Sequence, residues 1–207
     1  MATNVKATRM ELQKKKKNYK MAKRGHKLLK EKRDGLMQKF MEVIWKVRAL
    51  REEVEEKLLK AITVFLSGSA YVNPAFLKES LAYSDYKVSI DVKKKNIMGV
   101  KIPEFKLNRE GKPYSYGLTE TTGDLDLSLK LLDDILPLLI ELTRIEKTAQ
   151  LMAEEIESTR RRVNALEYIL IPELQGAIRY ITMRLGELER QNLTMLMKVK
   201  EIVAAEK

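Results

Sequence analysis

Residues 131–170, LLDDILPLLIELTRIEKTAQLMAEEIESTRRRVNALEYIL, decide the fold. One apolar register runs Leu131, Leu138, Ile145, Met152, Thr159, Leu166. Its companion runs Ile135, Leu142, Ala149, Ile156, Val163, Leu170. Steps of four and three alternate, which places both sets on one narrow stripe of an α-helix. The helical pattern extends from Leu125 to about Val203, a length of roughly 120 Å at the α-helical rise. No compact domain of this chain length encloses such a stripe, so another helix has to cover most of it.

Composition agrees. A third of the 207 residues are charged, aromatics are scarce, and there are 9 Gly and 5 Pro. Such usage suits long solvated helices with one buried stripe. Cysteine is absent, which excludes a disulfide framework and thiolate metal sites. Met1 to Arg9 lack the apolar core of a signal peptide, and no run approaches the length of an apolar membrane span. A soluble, cytosolic, helix-dominated protein is expected. The net charge of +11 is concentrated between Lys6 and Arg33, where only Glu11 and Glu31 oppose a crowd of Lys and Arg.

The covering helix lies upstream. From residue 5 to 66 one register holds Leu12, Tyr19, His26, Arg33, Phe40, Val47 and Val54, and the other Ala22, Leu29, Leu36, Val43 and Leu50. Lys15, His26 and Arg33 dilute the early seam. Ser67-Gly68-Ser69 and Asn73-Pro74 read as its stop.

Residues 67–123 form a different insert. Asn73-Pro74 suits the start of a short helix carrying Phe76, Leu77 and Leu81. Lys87-Val88-Ser89-Ile90-Asp91-Val92 alternates with period two, and Gly99-Val100-Lys101-Ile102 alternates again before Pro103. With Lys93-Lys94-Lys95-Asn96 as the turn, this predicts a β-hairpin over 87–102 whose apolar residues are Val88, Ile90, Val92, Val100 and Ile102. Asn108 to Gly123 reads as an irregular loop. Thr122-Gly123-Asp124 supplies the N-cap of the second long helix, 124–204.

The expected class is all-α dominated: a long antiparallel, left-handed two-helix coiled coil with a small central insert containing the hairpin. Val64 is expected near Leu125 and the N-terminus near Leu185, so the second helix projects past its partner beyond about residue 185. After Leu166 and Leu170 the seam continues at Leu174, Ile178, Ile181, Leu185, Leu188 and Met195, which implies one extra residue near Pro172. A proline-induced bend that follows the supercoil, or a flex point helped by Gly176, both account for it.

Chemistry is sparse. The single histidine, His26, falls on the seam with no second His or Cys to help it bind a metal or act as a base. Gly111-Lys112-Pro113-Tyr114-Ser115-Tyr116-Gly117-Leu118-Thr119 loosely follows a phosphate loop, but the glycine spacing is one residue too long and Leu118 replaces the lysine. No nucleotide site and no cofactor are expected. Lys14, Lys15, Lys16, Lys17, Lys20 and Lys23 wrap the first helix. Their charge suits either nucleic-acid phosphates or an acidic ring of protein subunits, with Tyr19 the one aromatic among them. The methionines suit adaptable packing, or a greasy bearing surface near the helix ends.

Arg161-Arg162-Val163-Asn164-Ala165-Leu166-Glu167-Tyr168, Ile171-Pro172-Glu173-Leu174, Ile178-Arg179-Tyr180-Ile181 and Glu187-Leu188-Glu189-Arg190 together resemble the D subunit of the V-type and archaeal/bacterial A-type rotary ATPases. Gly25-His26-Lys27-Leu28-Leu29-Lys30-Glu31-Lys32-Arg33-Asp34 and Asn96-Ile97-Met98-Gly99-Val100-Lys101-Ile102-Pro103 extend the resemblance over essentially the whole chain, in the compact prokaryotic form. The resemblance implies a non-catalytic rotor axle, coupling ATP hydrolysis or synthesis to H+ or Na+ transport. Both termini would enter the bore of a hexameric head of catalytic A and regulatory B subunits. Lys14 to Lys17, Lys20, Lys23, Arg160, Arg161, Arg162 and Arg190 would face that head. The F subunit would clasp the helices at Leu50, Val54, Leu58, Leu132 and Leu139. The insert would point to a membrane-side adaptor of the d/C type, with the hairpin near the stalk junction. Nucleic acid and direct membrane insertion are not expected, and the place is cytoplasmic, peripheral to the membrane.

Overall fold

Thr8 starts the first helix. Its hydroxyl accepts the Glu11 amide at 3.2 Å and its carbonyl accepts that of Leu12 at 3.0 Å, with Glu11 at the third helical position as in a capping box. The computed structural model describes residues 6–82, 86–111 and 122–205. Helix α1 spans Arg9–Ser69, followed by α2 (Pro74–Ala82), β1 (Lys87–Ile97), β2 (Val100–Glu110), α3 (Gly123–Ala165), a π-helical turn (Leu166–Leu170) and α4 (Ile171–Ala205). The start expected at Val5, the Leu81 side chain and the phosphate-loop-like stretch beyond Gly111 lie outside the described residues.

Contacts divide the chain into two compact units, residues 35–156 and residues 1–34 with 157–207. In the first of these, α1 and α3 run antiparallel. Arg51 pairs with Glu146, and the Ser67 hydroxyl lies 3.5 Å from Asp124. Val54, Ala61 and Ile135 form one buried cluster, flanked by Leu131, Leu132, Leu138, Leu139 and Leu142. Pro137 lies inside α3 and is exposed.

The stop signals at Ser67-Gly68-Ser69 do not end α1 at Leu66; the helix continues to Ser69. Gly68 serves close approach instead. A Cβ there would meet the Leu125 nitrogen at 3.0 Å and Asp124 Cβ at 3.1 Å. Leu125 thus lies against Gly68, one turn beyond the expected Val64. Thr122 uses its hydroxyl on the Gly68 carbonyl (3.2 Å), while its own carbonyl accepts the Leu125 amide (3.0 Å). Asn73 caps α2 as its sequence suggests, accepting the Ala75 amide at 3.0 Å.

The hairpin differs most from expectation. Its turn is Met98-Gly99, with φ of 53° and 88°, and Lys93 to Asn96 belong to β1. A two-residue turn with both φ values positive matches the twist of the strands, and Gly99 supplies one of them without strain. Asn96 steadies it by accepting the Gly99 amide at 2.9 Å. Pro103 does not stop β2 but pairs with Lys94, and the strands stay in register to Lys87↔Glu110.

Burial splits the predicted apolar set. Val100 and Ile102 are each 6% exposed, packed with Leu36, Met152 and Ile156 of the helices. Val88, Ile90 and Val92 are exposed. Met98 Cε sits 3.1 Å from where a Gly35 Cβ would be. The strand base is tied elsewhere: Tyr86 and Arg109 both donate to Asp133. Residues 133 to 152 of α3 span about 29 Å at the helical rise, and eleven strand residues span about 36 Å. The hairpin therefore lies along the helices with its tip toward Leu36, folded back from the Ser67–Thr122 end of its unit rather than extending past it. A strongly twisted two-stranded ribbon explains why burial passes from Val100 and Ile102 to the opposite face at Phe105 and Leu107.

In the other unit, α1 and α4 are antiparallel. Arg9 pairs with Glu189 at 2.8 Å, the Tyr19 hydroxyl accepts from Gln175 at 2.9 Å, and His26 Nε2 lies 3.3 Å from Glu167. Ala22, Thr159, Val163, Leu174, Ala177 and Ile181 fill the seam. The extra residue near Pro172 is a π-helical turn, in which the Ile171 amide reaches back five residues to the Leu166 carbonyl. Leu170 is consequently exposed, and Ile171 takes the half-buried place expected for it. Pro172 and Gly176 lie beyond it, in α4. The expected class holds: helices packed antiparallel on a heptad seam, with one small β-hairpin.

Candidate interaction surfaces

The seam needs only two positions in seven, so the remaining apolar residues mark what the helices offer to others. The largest such group ends α4. Among the described residues none after Glu187 is buried, and Leu193, Met195, Leu196, Met197, Val199, Ile202 and Val203 are 53–68% exposed. Leu188 and Met195, which the continued heptad would bury, are also exposed. The cause is the start of α1: Arg9 sits opposite Glu189, and no later residue of α4 has a described helix facing it. At 100° per residue these side chains occupy an arc of about 220°, twice the stripe that one partner helix covers.

The basic residues do not form one site. Lys14, Lys16, Lys17, Lys20 and Lys23 are exposed along α1, with Lys14 3.8 Å from Glu11. Lys15 falls on the seam and is half-buried, its stem packing as a core residue would. Arg160, Arg161 and Arg162 lie in α3, before the π turn, where Arg161 pairs with Glu157 at 3.6 Å. Arg190 follows Glu189 in the exposed end of α4.

The residues chosen for a clasping partner are largely consumed by the helix pair itself. Val54 is 3% exposed in the cluster with Ala61 and Ile135. Leu50, Leu58, Leu132 and Leu139 are half-buried. Leu50 and Val54 lie on the seam registers, and Leu58, Leu132 and Leu139 stand beside them at the seam's edge, so the choice returns core and its margin rather than open surface. The outward residues of α1 are others: Met37, Met41, Ile44 and Trp45 on an earlier segment, then Leu59, Ile62 and Leu66 within the expected stretch. Apolar residues left over after the seam is assigned, spaced by three and four, were the available signal.

Polar geometry is concentrated at the hairpin base. Asp133 accepts from the Tyr86 hydroxyl and from Arg109 Nη1, the latter at 3.1 Å. The hydrogen bond to Asp133 and then burial hold the Tyr86 hydroxyl above its ordinary pKa. Glu146 likewise raises Arg51 through a hydrogen bond and its charge. A cleft of about 410 Å³ lies between Phe105 and Leu107 of the hairpin and Pro137 and Ile140 of α3. Among the described residues no group of three His, Asp or Glu is placed to hold a metal, and no helix is long and apolar enough to cross a membrane.

These features define a class: a helix-dominated protein whose antiparallel helices carry one small β-hairpin and leave much apolar surface exposed. Residues 11–201 match the family of the ATP synthase D subunit. The V-type ATP synthase D subunit of Clostridium botulinum (strain Langeland / NCTC 10281 / Type F) is 49% identical over 98% of this chain and 96% of its own length. That of Thermoanaerobacter sp. (strain X514) is 48% identical over 97% of each. The chain belongs to the ATP synthase D-subunit family, stalk subunits of V-type rotary ATPases.

Proposed function

We propose that the chain is the non-catalytic axle of its ATPase, with the exposed end of α4 seated in the bore of a head of catalytic A and regulatory B subunits. The apolar arc from Leu193 to Val203 carries this reading. An arc wider than one helix can cover calls for a socket that surrounds the helix. Lys14, Lys16, Lys17, Lys20, Lys23 and Arg190 supply long-range attraction to acidic walls, whereas Lys15 contributes through the seam. Arg160 to Arg162 extend the basic character to α3. An asymmetric shaft offers each catalytic interface a different surface, so nucleotide binding and shaft position bias one another reciprocally. The chain itself holds no nucleotide in this scheme.

The F subunit takes the unit of α1 and α3, touching the half-buried Leu50, Leu58, Leu132 and Leu139 at their edges and the outward Leu59, Ile62 and Leu66 directly. Val54 supports that surface from beneath. A d/C-type adaptor meets the Ser67–Gly123 end, which keeps the chain peripheral to the membrane on its cytoplasmic side.

The test replaces Leu196, Val199 and Val203 with Gln and, separately, Lys16, Lys17, Lys20 and Lys23 with Gln. Each buried apolar side chain is worth up to about 1.5–3 kcal/mol, less the cost of association, so the first variant should weaken head binding at least a hundredfold. The second should slow association and flatten its salt dependence. Unchanged head binding by the apolar variant overturns the seating.

A further inference from the structure

The sheet has two strands among the described residues, so β1 and β2 each have one edge that the other does not cover. The turn is Met98-Gly99 and the first pair is Ile97↔Val100, continuing without a bulge to Lys87↔Glu110. The pair closing a two-residue turn is hydrogen-bonded, and bonded and non-bonded pairs alternate from there. Val88, Ile90 and Val92 therefore stand at non-bonded pairs. Their N–H and C=O groups point away from β2, toward the open edge.

These same residues carry exposed apolar side chains, at 42%, 48% and 57%. The edge of β2 is different. Pro103 occupies one of its outward positions and has no N–H to offer, while Phe105 and Leu107 are half-buried beside Pro137 and Ile140. Prolines and coverage are how proteins close an edge, and a long apolar edge left open is a template for another strand.

We infer that the outer edge of β1, from Val88 to Val92, pairs with a β-strand of another protein of the stalk assembly. Charge narrows the occupant. Lys87, Lys93, Lys94 and Lys95 stand on β1 against Asp91, whose carboxylate already accepts from Asn108 at 2.8 Å. The incoming strand carries apolar side chains at alternate positions and acidic ones opposite Lys93 to Lys95. A second copy of this chain fits badly, because antiparallel pairing centred on Ile90 sets Lys93 opposite Lys87, like charge against like. Choosing a stalk protein as occupant rests on the function proposed above.

The test is residue-resolved amide exchange on the full chain, alone and in the complex co-expressed with the other ATPase subunits of the same organism. Assembly should slow exchange at Val88, Ile90 and Val92 by about tenfold or more, as strand addition protects edge amides. Ile90→Pro removes one outward N–H and leaves the internal ladder intact, as Pro103 does on β2. Protection of Ser89 and Asp91, whose amides face β2, reports that the hairpin is still folded. This variant should lose the protection at Val88 and Val92 while the head remains bound, and Ile90→Thr, which keeps its N–H, should retain most of it. Equal exchange in free and assembled wild-type chain, with the head present, overturns the inference. Protection that grows with concentration of the free chain assigns the edge to a second copy and also overturns it. A wild-type complex that never contains the head overturns the stalk reading, and the choice of occupant with it.

Discussion

Ile102→Ala should release the hairpin tip. Ile102 is 6% exposed among Leu36, Val100, Met152 and Ile156. Three lost carbons cost about 2.4 kcal/mol at about 0.8 kcal/mol per methylene, before any term for the cavity, which places the total in the usual range of about 2–5 kcal/mol. An isolated two-stranded hairpin is marginal in water, so this one depends on what holds it. The other tether, Asp133 accepting from both Tyr86 and Arg109, is part-exposed, and its ion pair adds at most about 1 kcal/mol. The loss should therefore appear as local opening. Exchange of the internal ladder amides should accelerate about fiftyfold, the factor that corresponds to about 2.4 kcal/mol. The helical amides around Ile135, packed in a separate cluster with Val54 and Ala61, should not follow. Acceleration below about threefold would show that the tip is not held by this contact. Equal acceleration at Ile135 would show that hairpin and helices open as one, and would refute the separate-tether argument.

Glycines give predictions of opposite sign. Gly68→Ala meets the Leu125 backbone at 3.0 Å, and overpacking of about 1–3 kcal/mol exceeds the gain in helix propensity, so the urea midpoint should fall. At Gly176 and Gly186 nothing lies within 4 Å of an added Cβ, and alanine should stabilise by about 0.5–1 kcal/mol at each. The raised pKa of the Tyr86 hydroxyl means that its contribution is complete below about pH 10, the unfolded value, and declines as pH rises from there through the higher folded value. Stability followed by denaturant titration should drop less between pH 9 and pH 11 in Tyr86→Phe than in the wild type, with one tyrosine fewer ionising late in the absorbance titration. Deleting Ile169, an exposed residue of the π turn, restores three-four spacing from Val163 to Leu185. The melting temperature should hold or rise, and a clear fall would show that the π turn is favoured by something besides register.

The helices were legible because their packing is periodic, and burial at Leu36, Val54, Ile135, Met152 and Val163 follows the spacing directly. The extra residue near Pro172 was legible as a count, but not its form. Sequence spacing alone admits Leu170 or Ile171 on the seam, and only the five-residue hydrogen bond to Leu166 chooses Ile171. The hairpin turn was misplaced because three lysines and an asparagine resemble a polar turn, while the residue that can turn, Gly99, sat inside an apolar run. The close-approach role of Gly68 had no sequence signal at all, since it depends on where Leu125 lies.

The surfaces were legible in inverse proportion to their apolarity on the seam. Leu50 and Val54 attract notice because they are periodic, yet periodicity is the mark of what the chain uses on itself, while Leu132 and Leu139, each one residue past the seam positions Leu131 and Leu138, pack against its edge. Lys15 shows the same error from the charged side: it belongs to a basic run, but its place in the three-four spacing half-buries it while Lys16 and Lys17 stay free. A protein built from packed helices has two apolar populations, one that meets its own partner and one that does not. The second is the informative one. Trp45 with Met41, the end of α4 from Leu193 to Val203, and the edge of β1 all belong to it, and each is exposed for want of a partner within the described chain. Function in such a protein is found by subtracting the fold from the sequence and reading the remainder.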